Sequence, residues 1–388
     1  MSQAKVYQQI EEFLTRDLSG QVNYWTRKRL TMLVTGIIHG CSSAPSQMAQ
    51  AMDALGVEGA SVESIERRIR RSENDPTINW RCSYGPLVRA VLERSQLQEL
   101  ILIIDPTTQA NHLVMVSVHA WYRGRSLPLA WTVWPGNVPL TGEGFWMRIG
   151  RLLEEVQSLL PEGVPVTILG DRAFGTPAFT DRVEALGWNW VVRLHDRTIF
   201  LDHCERKHAV GSLVQQPGQR RKRAGKLFRA AGWRTGSVVV YWGKRYRKAL
   251  CLGSNLPPTW DLIALYRRRF PIEASFRDLK SYGWHWEQGQ VRNLEHVERL
   301  LVAMALATCL ILLLGADFAR QLLAAPPTGR RRSLPWHGKR SLFRLGLLRW
   351  RDGLNGKRCP IPDLLPDWQA SNWSAQIRAH HARAFVFA

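Results

Sequence analysis

The spacing of hydrophobic residues changes near residue 97. Upstream, apolar side chains recur at helical spacing, most clearly over residues 25–38, so residues 1–95 are predicted to be mainly helical. Downstream, short apolar runs alternate with amphipathic stretches, which predicts an α/β protein that begins with a meander of three strands. The predicted elements are strands 100–105, 114–122 and 127–134, helix 144–160, strand 164–170, helix 176–186 and strand 188–193.

The alternation of strands and helices is interrupted between about residues 196 and 258. Two strand patterns, 236–242 and 247–252, are predicted to pair with each other. The stretch 215–226 is rich in Arg and Lys and is predicted to form a basic loop or hairpin. We therefore expect a strand-rich insertion within the α/β part of the chain.

A long apolar run, residues 300–316, is about as long as the shortest membrane-spanning helices. It continues from a charged helical turn and has no aromatic belt at its ends, so we expect a buried helix. After Gly315 the composition shifts to a linker with a charge run at 326–332, and the remainder shows no clear periodicity. The predicted domains are 1–95, 96–315 with an insertion at about 196–258, and a basic C-terminal region, 316–388.

The charge of the chain indicates a polyanionic partner. Lys and Arg number 53 against 32 acidic residues, which gives a formal net charge of +21. Nucleic acid is the leading partner for so basic a protein, although a ribosomal or chromatin-type protein would carry the same charge. The six cysteines include no C-x2-C pair, so the sequence predicts neither a zinc site nor a disulfide framework, and a reducing cytoplasm fits best.

A basic helix is predicted in the N-terminal region. Ser61 can cap its N-terminus with Glu63 in the first turn, and the helix then carries Arg67 and Arg70. A short helix at residues 45–55 and a glycine-containing turn precede it. This order favours a helix-turn-helix unit that reads DNA, and a solvated basic helix is an equally good interpretation.

Four polar residues recur at steps of three, four and seven in the middle of the chain. Tyr266, Arg269, Glu273 and Lys280 would share one face of a continuous helix. Such a carboxylate, surrounded by cations, suits a metal ion beside a phosphate, although Glu273 taken alone is more often half of a surface ion pair. Pro271 predicts either a kink or a new helix that starts at this residue.

Two aspartates precede this motif, each after an apolar strand. Asp105 follows the run 100–104, and Asp171 follows residues 164–170. Two aspartates followed by the Tyr266–Lys280 motif resemble the DDE transposases of bacterial insertion sequences. The resemblance is to the group with the Y-R-E-K signature (insertion-sequence-4-like), and it covers roughly residues 97–310.

The resemblance implies a fold and a set of site residues. The fold would be a ribonuclease-H-like α/β core with a strand-rich insertion, preceded by an N-terminal helical DNA-binding domain. Asp105, Asp171 and Glu273 would be catalytic and would hold two Mg²⁺ ions, with Mn²⁺ tolerated; Asp105 would bridge the pair. The residues expected to bind DNA are Tyr266, Arg269, Lys280, Arg67 and Arg70.

The implied function is that of a transposase. It would bind the ends of an insertion sequence and catalyse metal-dependent DNA strand cleavage and strand transfer. Its partners would be the terminal inverted repeats and target DNA, both double-stranded, and it would act as a homodimer on DNA in the bacterial cytoplasm, associated with the nucleoid and not with a membrane. The alternatives are a catalytically silent, domesticated DNA-binding regulator and a ribonuclease-H-like nuclease of another purpose.

Overall fold

The structure, a computed structural model, describes residues 3–18, 20, 22–56, 59–95, 97–138, 140, 142–289, 291–324 and 341–354. The helices are α1 (Gln3–Leu18), α2 (Tyr24–Gly40), α3 (Pro45–Ala54), α4 (Val62–Glu73), α5 (Trp80–Ser83), α6 (Gly85–Arg94), α7 (Gly142–Gln157), α8 (Pro177–Ala185), α9 (Asp261–Arg267), α10 (Pro271–Arg277), α11 (Leu294–Ala324) and α12 (Leu342–Leu354). The strands are β1 (Leu100–Gln109), β2 (Leu113–Tyr122), β3 (Arg125–Pro135), β4 (Val166–Gly170), β5 (Asn189–Arg193), β6 (Ile199–Asp202), β7 (Lys207–Ala209), β8 (Arg220–Leu227), β9 (Arg234–Tyr241) and β10 (Leu250–Ser254).

All ten strands belong to one mostly antiparallel sheet, in the order β3-β2-β1-β4-β5-β10-β9-β8-β6-β7. The meander β1-β2-β3 is antiparallel, whereas β1, β4 and β5 run parallel to one another. The predicted succession of three strands, helix, strand, helix and strand is confirmed over residues 100–193, with bounds that differ by a few residues. The chain is thus a mixed α/β protein.

Strand β1 does not end at Asp105 as the sequence suggested. It continues to Gln109 because β2 keeps pairing with it, from Asp105 opposite Ser117 to Gln109 opposite Leu113. On its other side, the parallel pairing with β4 stops where Ile104 meets Gly170. Asp105 therefore lies inside a strand, at the point where one of the two neighbouring strands ends.

The strand-rich segment continues the same sheet. The basic stretch predicted as a loop or hairpin contributes β8, which pairs with β9 and β6. The predicted pairing of the next two strands, β9 and β10, is confirmed. Strand β10 in turn pairs with β5, so the last strand of the segment joins it to the first five strands.

The N-terminal helices pack against the rest of the chain through α11. Ser61 caps α4 as predicted, its hydroxyl accepting from the Ser64 backbone N–H at 3.3 Å. Helices α2, α4 and α5 all contact α11, and their apolar side chains belong to one continuous hydrophobic core. The apolar run predicted as a buried helix lies in α11, where 89% of the most apolar stretch is buried in protein. By length and composition alone this helix could cross a membrane, and its burial in the protein core accounts for its apolar character.

The C-terminal part contains a helix that the sequence pattern did not reveal. Helix α11 runs past Gly315 to Ala324, and α12 packs against it. The close approach depends on two glycines: a Cβ at Gly315 would overlap the Leu342 carbonyl, and one at Gly346 would overlap the Ile311 carbonyl. The predicted linker at 326–332 and residues 355–388 lie outside the described residues.

Candidate active site

A buried arginine joins two of the predicted carboxylates. Arg269 donates from Nη1 to Asp105 Oδ2 at 2.9 Å and from Nη2 to Glu273 Oε1 at 2.7 Å. Arg269 and Asp105 are each 8% exposed, whereas the Glu273 side chain is 52% exposed. The guanidinium thus lies between a buried carboxylate on β1 and a half-exposed one on α10.

Asp171 lies on the neighbouring strand at the same level as Asp105. Both residues follow the paired residues Ile104 and Gly170, at which the parallel pairing of β1 with β4 ends. Asp171 Oδ1 accepts from the Ala173 backbone N–H at 2.8 Å and so caps a short 3-10 turn. A cavity of about 360 Å³ opens here, lined by Asp171, Arg172, Ala173, Arg193, Tyr266 and Arg269.

Burial and neighbouring charges shift the pKa values of the groups around Asp105. Burial raises the pKa of Asp105 to about 6; the Arg269 charge opposes this, and the carboxylates of Asp171 and Glu273 add to it. Burial alone would lower the pKa of Arg269, but Asp105 and the other anions raise it overall. Burial also raises the pKa of Tyr266, against the effect of Arg269. The Arg269 cation is therefore held in place by the carboxylates to which it donates, those of Asp105 and Glu273.

The four-residue motif does not lie on one continuous helix. Helix α9 ends at Arg267, α10 begins with Pro271 in its first turn, and the chain then widens into a π-helical turn, Asp278–Tyr282. The expectation of a single shared face is wrong, because Pro271 has no N–H to continue the ladder from α9. The second alternative, a new helix at Pro271, is the correct one.

Lys280 lies on the π-helical turn and makes a contact of its own. Its Nζ is 3.2 Å from Glu287 Oε1, and its side chain is 19% exposed. Among the described residues, Lys280 is not part of the lining of the cavity beside Asp171. The structure therefore gathers Tyr266, Arg269 and Glu273 around the aspartates and leaves Lys280 to one side.

The predicted DNA-reading arginines lie on the exposed surface of α4. Arg70 forms an ion pair with Glu66 one turn earlier, with Nη2 at 2.6 Å from Oε1. Arg67 donates from Nε to the Glu63 carbonyl at 3.4 Å. Both interpretations of this helix, a reading helix and a solvated basic helix, are compatible with these exposed positions.

A buried polar chain that the sequence analysis missed holds α10 against β2 and β3. Ser117 Oγ lies 3.0 Å from His119 Nε2, and His119 Nδ1 lies 3.0 Å from Ser126 Oγ. Ser126 Oγ lies 2.8 Å from Ser275 Oγ, two residues after Glu273. Burial lowers the pKa of His119 to about 3, so the ring is neutral and relays hydrogen bonds without charge.

A second polar link fixes the turn that follows α10. Arg125 Nη1 lies 3.2 Å from Asp278 Oδ2, and both side chains are nearly buried. The sequence did carry a signal for these links. Ser117 and His119 are polar residues two apart in the otherwise apolar β2, and the register places Ser117 opposite Asp105. Polar residues alternating along one face of a core strand mark a face that borders a polar site.

The donor atoms at this site suit a hard cation, but they are not assembled around one position. Asp105, Asp171 and Glu273 offer only oxygen, the ligand that Mg²⁺ prefers. Within the described residues, no three His, Cys, Asp or Glu side chains are grouped closely enough to hold a metal ion. The oxygens of Asp105 and Glu273 face the Arg269 guanidinium instead.

Comparison with known proteins agrees with this arrangement. A family model described as "Transposase DDE domain" matches residues 98–310, which is more than half of the chain. No curated protein matches the sequence. The matched range begins just before β1 and ends within α11, so it contains the two aspartates, the strand-rich segment and Glu273. The chain therefore belongs to the transposase DDE domain family.

Proposed function

We propose that the protein is an active transposase of the Y-R-E-K, insertion-sequence-4-like group. It binds the ends of an insertion sequence and catalyses metal-dependent strand cleavage and strand transfer. The observation that supports this best is the clustering of Asp105, Arg269 and Glu273 level with Asp171, within a transposase DDE domain. The strand order of β1 to β5 supports a ribonuclease-H-like core.

In this proposal the three carboxylates are the catalytic and metal-binding groups. Asp105, Asp171 and Glu273 would together hold two Mg²⁺ ions, with Mn²⁺ tolerated. When bound, the two metals activate the attacking oxygen and stabilise the leaving oxygen of an in-line displacement at phosphorus. The protein itself supplies the oxygen ligands and holds the DNA strand in line with them.

Arg269 has two successive roles in this proposal. It donates to Asp105 Oδ2 and Glu273 Oε1, and both carboxylates are ones that would hold a metal, so guanidinium and metal would compete for them. Once released from the carboxylates, the guanidinium remains beside the cavity, where it can hold a phosphate bidentately. Tyr266 lines the same cavity and would donate to a phosphate, and Lys280 would contact the backbone nearby.

DNA is the partner that the family implies, and we assign each part of the chain a role in binding it. Residues 1–95 would bind the terminal inverted repeats through Arg67 and Arg70, residues 96–315 would act on those ends and on target DNA, and residues 316–388 would form a basic C-terminal region. The charge of +21 supports a polyanionic partner. A homodimer on the DNA would bring two active sites to two element ends.

The alternative is a catalytically silent relative that keeps the fold and regulates by binding DNA. A protein that only binds DNA has no need of three acidic side chains at one edge of the sheet, where they repel DNA phosphates. The presence of Asp105, Asp171 and Glu273 in the matched domain therefore favours the enzyme. Inverted repeats flanking the coding region would favour it independently.

Cleavage assays on the element's own ends test the proposal. We expect Asp105→Ala, Asp171→Ala and Glu273→Gln each to abolish strand cleavage in Mg²⁺ and to leave end binding within about two-fold, because binding rests on the basic surface. Glu143→Gln is the matched control for Glu273→Gln, since the Glu143 side chain is 89% exposed and is not part of the lining of the cavity beside Asp171. Near wild-type cleavage by any of the three variants would refute the ligand role of that residue.

A further inference from the structure

A second strongly basic region lies outside the candidate active site. From Arg206 to Trp260 the chain contains thirteen Arg and Lys residues and no acidic residue. An ordinary solvated surface intersperses charges of both signs, because uncompensated like charges repel one another. Arg223 and Arg234 pair with Asp202 and Asp181, and the excess of positive charge that remains is better explained by a polyanion that covers it.

The loop between β9 and β10 presents this charge to solvent. Lys244, Arg245, Arg247 and Lys248 are all exposed, and Tyr246 between them is 63% exposed. Within the part of the chain that the structure describes, no ion pair ties these four cations to an acidic side chain. Four such cations around one exposed aromatic ring form a surface suited to a phosphate backbone.

Two further cations are ordered beside this loop by an aromatic ring. The Arg220 guanidinium lies 4.5 Å from the centroid of the Trp260 ring, and the Lys222 ammonium lies 5.6 Å from it. Residues two apart on a strand share a face, so β8 holds both cations on the side that Trp260 covers. We call Arg220, Lys222 and the four loop cations the distal basic surface.

The register of the sheet relates the distal basic surface to the catalytic residues. Lys222 pairs with Val239, Val239 with Leu252, and Leu252 with Arg193, so these residues form one row on one face of the sheet. Arg193 lines the cavity beside Asp171. The loop that joins the end of β9 to the start of β10 lies at the carboxyl end of the parallel strands, the same edge of the sheet that carries Asp171.

We infer that the distal basic surface binds backbone phosphates of the duplex whose strand is cut in the active site. With strands about 4.8 Å apart, β8 lies roughly 19 Å from β4, four strand steps away. At 3.4 Å per base pair, that span corresponds to roughly five or six base pairs of the same duplex. The inference rests on the proposed function, because it takes the scissile phosphate to lie beside Asp105 and Asp171.

The donor duplex is the partner to which the geometry points. A duplex with one phosphate beside Asp171 has to continue along this edge of the sheet, and the surface lies within a few base pairs of that phosphate. The contacts carry charge and no fixed base-edge donors, so we expect them to position the end without reading its sequence. Target DNA is the other source of the same phosphates, and the experiment below separates the two.

Salt titrations of end binding test the inference. The variant Lys244→Ala/Arg245→Ala/Arg247→Ala/Lys248→Ala should lower the salt slope of binding to a labelled terminal duplex by about three to four units, at about 0.9 per phosphate contact. The loss should be equal for a scrambled terminal sequence. Arg229→Ala is the control: Arg229 is exposed on the turn at the opposite end of β8, and its substitution should leave the slope unchanged.

Two further tests vary the length of the duplex and compare end binding with target capture. The β9–β10 loop is two to three strand steps from β4, roughly 10–14 Å, so wild type and the quadruple variant should bind equally when the duplex is shortened to fewer than about three base pairs on that side. An unchanged salt slope would overturn the inference, and so would normal end binding with selective loss of target capture. The Asp105→Ala protein should keep the wild-type slope, so a failure of the proposed catalysis would be seen separately in cleavage.

Discussion

Glu73, at the end of α4, is a buried acid that forms no ion pair with a cation of the described residues, although the Arg70 charge lowers its pKa slightly. It is 3% exposed, and within the described structure its Oε1 has no hydrogen-bond partner. Arg299 donates to the Glu73 backbone carbonyl and not to the carboxylate. Burial raises the pKa of Glu73 from its ordinary value of 4.5 to about 7, so the residue opposes folding whenever it is ionised.

The consequence for stability depends on pH. Between pH 4.5 and about 7 the folded state holds a proton on Glu73 that the unfolded state has released, so stability falls as pH rises through this window. The full effect amounts to roughly 3 kcal/mol. We expect Glu73→Gln to raise the melting temperature at pH 8 and to change it much less at pH 4.5. Thermal unfolding at both pH values measures this, with the exposed Glu162→Gln as control; equal effects at both would contradict it.

Substitution of Lys280 should affect DNA binding differently from substitution of the two arginines of α4. Lys280→Ala should weaken binding or cleavage similarly for true and altered ends and lower the salt slope by about one unit, because it contacts a phosphate. Arg67→Ala or Arg70→Ala should relax preference at particular terminal base pairs by roughly 1–3 kcal/mol if a direct base contact is lost. Titrations over a salt series on true and scrambled ends separate the two; the reverse pattern would exchange the roles of the two regions.

Spacing along the chain led to the acidic residues proposed for the site but not to their arrangement. The steps between Tyr266, Arg269 and Glu273 drew attention to this segment, and each aspartate followed an apolar run. The bridge from Arg269 to Asp105 joins residues 164 positions apart, and no periodicity encodes such a contact. Which cation would occupy the centre of the site was therefore not predictable from sequence.

At the scale of elements, the position of α10 depends on the hairpin formed by β2 and β3. Ser275 and Asp278 are its polar anchors, and their partners Ser126 and Arg125 are adjacent on β3. Helix α10 is only seven residues long and is separated from α9 by the break at Pro271. These side-chain contacts, together with the buried Ile272 and Phe276, therefore help to hold Glu273 in position.

Removing one anchor should loosen Glu273 without touching the DNA. We expect Ser275→Ala to raise the Mg²⁺ concentration needed for half-maximal cleavage by about five-fold, corresponding to one lost hydrogen bond of about 1 kcal/mol. End binding in the absence of metal should not change. Ser275→Thr keeps the hydroxyl and should restore the metal requirement; if Ser275→Ala altered end binding and left the metal requirement alone, the positioning role would be wrong.

The bounds of elements were predictable where local chemistry decides them. Ser61 caps α4, and Pro271 starts α10, because hydroxyl capping and the missing N–H act within one turn. The extension of β1 beyond Asp105 was not predictable, since it depends on pairing with β2. Helix α12 was missed because its docking depends on the contact of Gly346 with a helix some 30 residues earlier in the chain.

At the scale of the whole molecule, the first five strands and the pairing of β9 with β10 were predicted from the sequence, whereas the place of these later strands in the sheet was not. Local alternation of strands and helices restricts the order of β1 to β5, because crossover connections follow few topologies. The pairing of β10 with β5 joins residues 193 and 252, and nothing local to either strand specifies it. The sequence consequently suggested an insertion where the structure has a continuous sheet.

The position of β10 between β5 and β9 has a consequence for how such a protein can change. Because β10 follows the inserted strands along the chain yet lies inside the sheet, excising residues between β5 and β10 would remove β6 to β9 and bare one side of β10. The apolar strand Leu250–Ser254 would become an open edge, a template for pairing with other chains. Loss of the whole segment would therefore make the protein prone to aggregation. Shortening at the far rim of the sheet, beyond β8, would leave β10 paired on both sides.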